Sequence, residues 1–500
     1  MKHYIILFAG LLMIGFSSCK KDFLDIPSET NLTSATFFKT QADFEKAVNG
    51  AYAPLRTLYN NPAGNNSSAF FMGEMHSDNT YYVLNPNFRA TIDQEQIADF
   101  IYDPASVIAA NKYTTNYLVI SRANQVLALI DGVDFDAAVK SNLKGQALFL
   151  RAFSYFELVQ FFGKVPLHLT PVSSFAEAAL PLSSVDSIFN QIIADASQAA
   201  SLLPNKSVQQ PGRATSGAAK TLLGNVYMVS KKYALAETVL KEIISSGQYS
   251  LISNYAAVFN PANKNNNESV FEVQYKEGND GFASNFINPF LPQPISATEV
   301  AALFTANGVN PANVQALSVE GYNIPTPDLI AAYEAGDQRK DASIGYVTAG
   351  GKTYPFIKKY LHPHAQFGIT NDNWPVYRYA EVLLLLAEAL NEQGKSTETL
   401  TYLNQVRARA GLGNITSTGG LKDVIMNERR VELAFENKRW LDLVRTGTAV
   451  NIITAYGQRV KANPAAYYYP AGFAPVPASF TDIQLTFPLP ASEALLNPYF

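Results

Sequence analysis

Asp78-Asn79-Thr80-Tyr81-Tyr82 places two aromatic rings beside an acid and an amide, and Phe88-Arg89 follows shortly after. Rings against the faces of a neutral polar ligand, with Asp, Asn and Arg around its edge, suit binding without covalent chemistry. Phe282, Phe286 and Phe290 form a second aromatic group in the loop-like stretch Gly278–Pro294. Residues suited to covalent or metal chemistry are sparse. His3 lies in an apolar leader, which leaves His76, His168, His362 and His364. His362-Pro363-His364 could present two imidazoles, but a proline separates them and no acid adjoins them, which makes a poor metal site. His76 and Asp78 share one loop and could form a catalytic pair. Nothing matches G-x-S-x-G, H-E-x-x-H, a P-loop or a dinucleotide fingerprint. A pair of carboxylates acting on a glycoside stays open, because such pairs carry no reliable local motif.

The densest charged run is Asn427–Arg445, NERRVELAFENKRWLDLVR. Glu428, Glu432 and Glu436 recur at i,i+4, which is unfavourable on an isolated helix. Arginine partners from elsewhere, or a break near Asn437, would relieve them. Buried ion pairs locking two helices are the plainer reading of this run; a ligand site is the sharper one. Trp374 and Trp440 are the only tryptophans. Both read as structural, with Trp374 preceding a helix start at Pro375–Glu381, so an aromatic platform here must be built from Tyr or Phe.

The elements that would position these residues are mostly helical. Thr40-Gln41-Ala42-Asp43 resembles a capping box with Asp in place of Glu, and Phe44, Val48, Ala51, Leu55 and Leu58 follow on one face. Further helices are expected over Ala105–Ile130, Phe135–Phe162 and Ser184–Leu203, the last closed by Pro204. Leu223-Gly224-x-x-Tyr227, then Ala236 and Leu240, fits the tetratricopeptide spacing, in which small residues let paired helices approach. A weaker copy runs through Leu386-Ala387-x-x-Leu390, Thr399 and Leu403, starting 163 residues later. The helix pairs are therefore separated by long insertions, which in solenoids often gather on one face. Within the insertions, Phe271, Val273 and Tyr275 alternate with polar residues, as in a half-buried strand. After Gly447 the Pro/Tyr-rich chain reads as irregular coil.

Met1–Phe16 reads as a secretory leader, with Lys2 followed by the apolar run Ile5–Phe16. That run is shorter than the about 20 residues a membrane span needs. Ser17-Ser18-Cys19 follows, and Cys19 is the only cysteine. It reads as the lipidated first residue of a mature chain anchored to a membrane by acyl groups. A disulfide framework and a Cys-rich zinc site are thereby excluded. Of 500 residues, 16% are charged, against about 25% in an average domain, and 47% are hydrophobic. Disorder is excluded. The net charge of -4 gives no sign of nucleic-acid binding.

Several stretches together resemble the SusD/RagB family of Bacteroidetes outer-membrane lipoproteins. They are Cys19-Lys-Lys-Asp-Phe-Leu-Asp-Ile-Pro, Phe44-Glu-Lys-Ala-Val-Asn-Gly-Ala-Tyr, Lys144-Gly-Gln-Ala-Leu-Phe-Leu-Arg-Ala-Phe, Arg378-Tyr-Ala-Glu-Val-Leu-Leu and the charged run. The resemblance implies a mostly α fold, a tetratricopeptide-like helical-repeat body with long loop and short β insertions. It implies a leader over 1–18 and a body over 19–500. In the body, 19–250 would hold repeat helix pairs, 251–377 loop-rich insertions forming part of the ligand face, and 378–500 C-terminal helix pairs and coil. The function it implies is capture of an oligosaccharide at the cell surface and delivery to a SusC-like TonB-dependent transporter in the outer membrane. It implies no catalysis, cofactor or metal. By position, the ligand residues it implies are Asp78, Asn79, Tyr81, Tyr82, Arg89, Phe282, Phe286 and Phe290, with lipid attachment at Cys19. The same architecture binding a peptide or another nutrient, a lipid-anchored glycoside hydrolase, and a purely structural lid are the alternatives.

Overall fold

The computed structural model describes residues 37–60, 69–87, 92–292, 295–308, 321–365 and 368–500. The expected leader, Cys19 and Arg89 lie outside the described residues.

The first described helix, Gln41–Tyr52, starts where its cap predicts. The Asp43 carboxylate accepts from the Thr40 N–H at 2.9 Å and from its hydroxyl at 2.7 Å. Phe44, Val48 and Ala51 are buried. Helices Val107–Leu129, Ala137–Phe162 and Val185–Leu202 follow, each capped by an acceptor side chain, from Ser106, Asp136 and Ser184. The pair Ser216–Val229 and Tyr233–Ser245 realises the repeat pattern. A β-carbon at Gly224 would stand 2.8 Å from a Leu240 methyl. The two helices approach that closely because position 224 carries no side chain. Each of these helices packs on the next, and Tyr233–Ser245 packs on Tyr379–Asn391, which pairs with Ser396–Arg409. The stack therefore continues across the long insertion. Tyr379 to Leu390 are buried without a break, so this helix is the centre of the body. The fold is mostly α, a tetratricopeptide-like helical-repeat body with short β insertions.

Among the described residues three two-stranded antiparallel ribbons lie in the insertions: Thr80–Tyr81 with Ile324–Pro325, Ser269–Val273 with Trp374–Arg378, and Ile344–Ala349 with Lys352–Ile357. Three expectations are corrected. Trp374–Arg378 is a strand, and the helix begins at Tyr379; Pro375 sits opposite Glu272 in the ladder. Ser269–Val273 is buried on both faces, because Glu272 is covered by donors: the Asn265 N–H at 3.2 Å and Asn373 Nδ2 at 2.8 Å. Beyond Gly447, Ala449–Ala462 is a helix that buries Ala449, Ile453, Tyr456 and Val460 at helical spacing. Irregular chain dominates from Pro464 onward. Among the described residues no helix is long and apolar enough to cross a membrane.

Candidate ligand-binding site

The charged run is an interior lock. Leu421–Glu432 is helical, Phe435 and Asn437 adopt positive φ, and Arg439–Arg445 resumes as a helix. The break and the partners both act on the like-charged spacing. Arg378 Nη1 donates to Glu268 at 2.5 Å and Glu432 at 3.0 Å, and its Nε and Nη2 donate to Glu436 at 2.7 and 2.8 Å. Arg339 reaches Glu428 at 2.6 Å and Glu432 at 3.0 Å. Lys359 adds a bond to Glu436 at 2.8 Å, and Arg409 pairs with Glu432. Burial pushes the Glu432 carboxyl up, but Arg409, Arg378 and Arg339 outweigh it and hold it at about 2. With every carboxylate in this set already paired inside the protein, the run offers no ligand surface.

Most residues expected to touch a ligand join this interior. Asp78, Asn79, Tyr81 and Tyr82 are all buried. Arg439 Nε donates to Asp78 at 2.7 Å, and Arg430 Nε donates to Asn79 Oδ1 at 2.8 Å. Burial raises the Asp78 carboxyl, yet Arg430 and Arg439 overcome this and hold it well below the usual carboxylate range. Tyr81 and Tyr82 stack on one another at 4.5 Å. Their hydroxyls meet Tyr469 Oη at 2.9 and 2.6 Å, and Tyr81 donates to Asp99. Their rings are therefore closed to a sugar face, which corrects the expectation. Phe286 and Phe290 are corrected likewise. Phe286 packs 5.3 Å from Trp374, and Phe290 packs 5.0 Å from Phe70.

His76 and Asp78 do not form a pair. His76 Nδ1 donates to the Ile97 carbonyl at 2.6 Å, and its ring stacks on Phe100 at 4.0 Å. Burial lowers its pKa to about 3, so it is neutral near pH 7. His362 Nδ1 meets Asp372 at 2.5 Å while His364 Nδ1 donates to the His362 carbonyl. Among the described residues no three His, Cys, Asp or Glu side chains gather as metal ligands.

Glu74 ties the aromatic loop to the lock. Its carboxylate accepts from Asn79 Nδ2 at 2.9 Å and from the backbone N–H groups of Phe435 and Asn437 at 3.0 Å each. Burial still pushes it up to about 7. The neighbouring Gly73 lies so near the broken helix that a β-carbon there would meet Asn437 Cβ at 2.6 Å. Gly73→Ala is expected to destabilise the fold by about 2–3 kcal/mol through overpacking, read as a lower urea midpoint with an unchanged slope.

Phe282 remains open, at 44% exposure. The Arg56 guanidinium lies 4.6 Å from its ring centroid. Asn60 clamps the loop beside it: Nδ2 donates to the Ala283 carbonyl and Oδ1 accepts from the Asn285 N–H, both at 2.9 Å. Arg56 also lines a groove of about 290 Å³ with Asn49, Tyr52, Gln210, Arg213 and Gln274. The Arg213 guanidinium sits 5.0 Å from the Tyr52 ring. Among the described residues Glu272 is the one acid lining the groove, and it is engaged by Asn265 and Asn373. An open ring backed by a guanidinium, beside amide and guanidinium donors, suits a neutral polyhydroxylated ligand. Sequence reasoning missed Asn49, Tyr52 and Arg56. Their 3- and 4-residue spacing, from the first helix into the short helix Leu55–Tyr59 that follows it, was the available signal.

Comparisons place this architecture. A profile described as "SusD family" matches residues 339–499, and one described as "Starch-binding associating with outer membrane" matches 22–228. SusD-like protein P25 of Formosa agariphila is 26% identical over 498 residues, covering 90% of each chain. A SusD-like protein of Bacteroides ovatus is 26% identical over 485 residues, covering 89% of this chain and 82% of the relative. Among solved structures, a laminarin-binding SusD-like protein superposes with a TM-score of 0.73 at 23% identity, covering 92% of this chain and 98% of that one. Surface glycan-binding protein A from Bacteroides thetaiotaomicron, in complex with laminarihexaose, gives 0.71 at 21% identity, covering 91% and 97%. One profile matches the N-terminal part and the other the C-terminal part, the relatives span nearly the whole length and the solved folds agree: the chain is similar to SusD-family proteins from end to end.

Proposed function

We propose that this protein captures an oligosaccharide at the cell surface and passes it to a SusC-like TonB-dependent outer-membrane transporter. The observation that carries the binding role is the open Phe282 ring on Arg56 at the head of a polar groove. Among the described residues the groove holds one acid where glycoside hydrolysis needs two, which favours binding over cleavage. Two structural neighbours are described by their laminarin or laminarihexaose binding, so β-glucan oligosaccharides are the first ligands to try. Phe282 and the groove replace the buried tyrosines as the contact surface. Arg89 stays in the proposal on the strength of the sequence alone.

Isothermal titration against an oligosaccharide panel that includes laminarihexaose tests this reading. Binding to at least one sugar is expected. Phe282→Ala and Arg56→Ala should each weaken it about tenfold, the scale of one lost aromatic or charged contact, without shifting the melting temperature. Tight peptide binding with no sugar binding would replace the glycan with a peptide ligand, and released sugar products would make the protein a hydrolase. Anchoring at Cys19 is tested separately. Cells fed a labelled fatty acid should incorporate it into the wild-type chain and not into Cys19→Ala, which should leave the membrane fraction. Co-purification of the wild type with a large outer-membrane barrel protein tests the transporter role.

A further inference from the structure

A second cavity, of about 350 Å³, opens between helix Val107–Leu129, the connection 165–178 and the segment 491–500. It shares no lining residue with the groove. Its walls are largely aromatic: Tyr113, Tyr117, Phe175 and Phe500. The two tyrosine rings stand 4.8 Å apart, tilted by 50°. Phe175 is 72% exposed and forms part of the mouth.

Four polar side chains at this cavity are already spent on the protein. Tyr117 Oη donates to the Pro166 carbonyl at 2.7 Å, and Thr114 Oγ1 donates to the Ala110 carbonyl at 2.9 Å. Asn124 Nδ2 donates to the His168 carbonyl at 2.9 Å, and its Oδ1 accepts from Arg151 at 2.9 Å. Asn497 Nδ2 donates to the Leu180 carbonyl at 2.9 Å. A sugar needs many free donors and acceptors, and this cavity offers few. Glu493 differs. Its half-buried carboxylate has no ion pair or hydrogen bond among the described residues. Burial raises its pKa. Glu493 lines the same cavity as the tyrosine pair; burial chiefly pushes the Tyr113 and Tyr117 hydroxyls up, and the Glu493 charge adds to it. Among the described residues no lysine or arginine lines the space. An unpaired carboxylate in an aromatic enclosure attracts a cation with an apolar skin, because the ring faces are electron-rich and the methyl groups need little hydration.

We propose that this cavity binds an alkylated ammonium ion, its charge against Glu493 and its methyl groups on the faces of Tyr113, Tyr117 and Phe175. The site is independent of the glycan groove.

Choline is the probe, titrated at constant ionic strength into the full chain alongside its uncharged tert-butyl analogue, in which carbon replaces the nitrogen. Chemical shifts of the tyrosine rings report occupancy. Choline should bind saturably and about tenfold more tightly than the analogue. Glu493→Gln should erase that preference, and Ser121→Trp, at an exposed lining position, should block both compounds. Both variants should keep the wild-type melting temperature and glycan affinity. Equal binding of the two compounds, no saturable choline binding, or a choline preference that survives Glu493→Gln would each overturn the proposal. Failure of the glycan titration alone would leave it standing.

Discussion

Arg378→Ala is expected to lower stability by about 3–5 kcal/mol, the cost of removing one partner from a buried ion cluster. Arg378 is 1% exposed and bonds three carboxylates, Glu268 from the insertion and Glu432 and Glu436 from the charged run. Without it, Lys359 alone remains on Glu436, Arg409 on Glu268, and Arg339 and Arg409 on Glu432. The unpaired negative charge is then buried where water cannot reach it, and that desolvation sets the loss. Burial chiefly, with the Arg378 charge adding to it, lowers the Lys359 pKa to about 8, so at pH 7 Lys359 stays a cation once Arg378 is removed. Urea denaturation at pH 7 should show the shift. The comparison is Lys395→Ala, which removes an ion pair to Glu237 at a position 44% exposed and should change stability by less than about 1 kcal/mol. Equal effects of the two variants would mean that the buried cluster is solvated and that the lock is not electrostatic.

That cluster was half legible in the sequence. The i,i+4 spacing of Glu428, Glu432 and Glu436 demands relief, and both forms of relief are present: cations from Arg339, Arg378 and Arg409, and a break with positive φ at Phe435 and Asn437. The helix pair through Gly224 and Leu240 was legible for a similar reason, since a small residue at fixed spacing has one geometric meaning. The ligand surface was not. Tyr81-Tyr82 reads the same whether its rings face solvent or Asp99. The groups that close it, Tyr469 and Ser479, come from the far end of the chain. Conversely, Asn49, Tyr52 and Arg56 look like an ordinary polar helix face until the loop carrying Phe282 is laid across it. Local pattern specifies elements; which of two chemically similar aromatic clusters stays open is decided by contacts between distant segments.

Trp374→Ala should cost about 3–5 kcal/mol as well, here through a cavity and not a charge. Trp374 is 1% exposed and sits among Tyr59, Phe70, Phe286 and Tyr360, with ring centroids 5.8, 4.8, 5.3 and 5.1 Å away. It joins the short helix Leu55–Tyr59, through Tyr59, to the insertion loop, through Phe286. Phe286 follows Phe282 by four residues, so the floor under Trp374 also supports the proposed contact ring. The variant should therefore lose glycan affinity together with stability, whereas Phe282→Ala loses affinity alone. Far-UV circular dichroism is the proper readout for unfolding, because Trp374 is one of only two tryptophan fluorophores. Trp374→Phe keeps a ring in place and should recover part of both losses. If Trp374→Ala is destabilised but, at a temperature where it remains folded, binds glycan as the wild type does, the Asn60 clamp alone holds the Phe282 loop. In that case Asn60→Ala, and not Trp374→Ala, would be the substitution that separates the ring from Arg56.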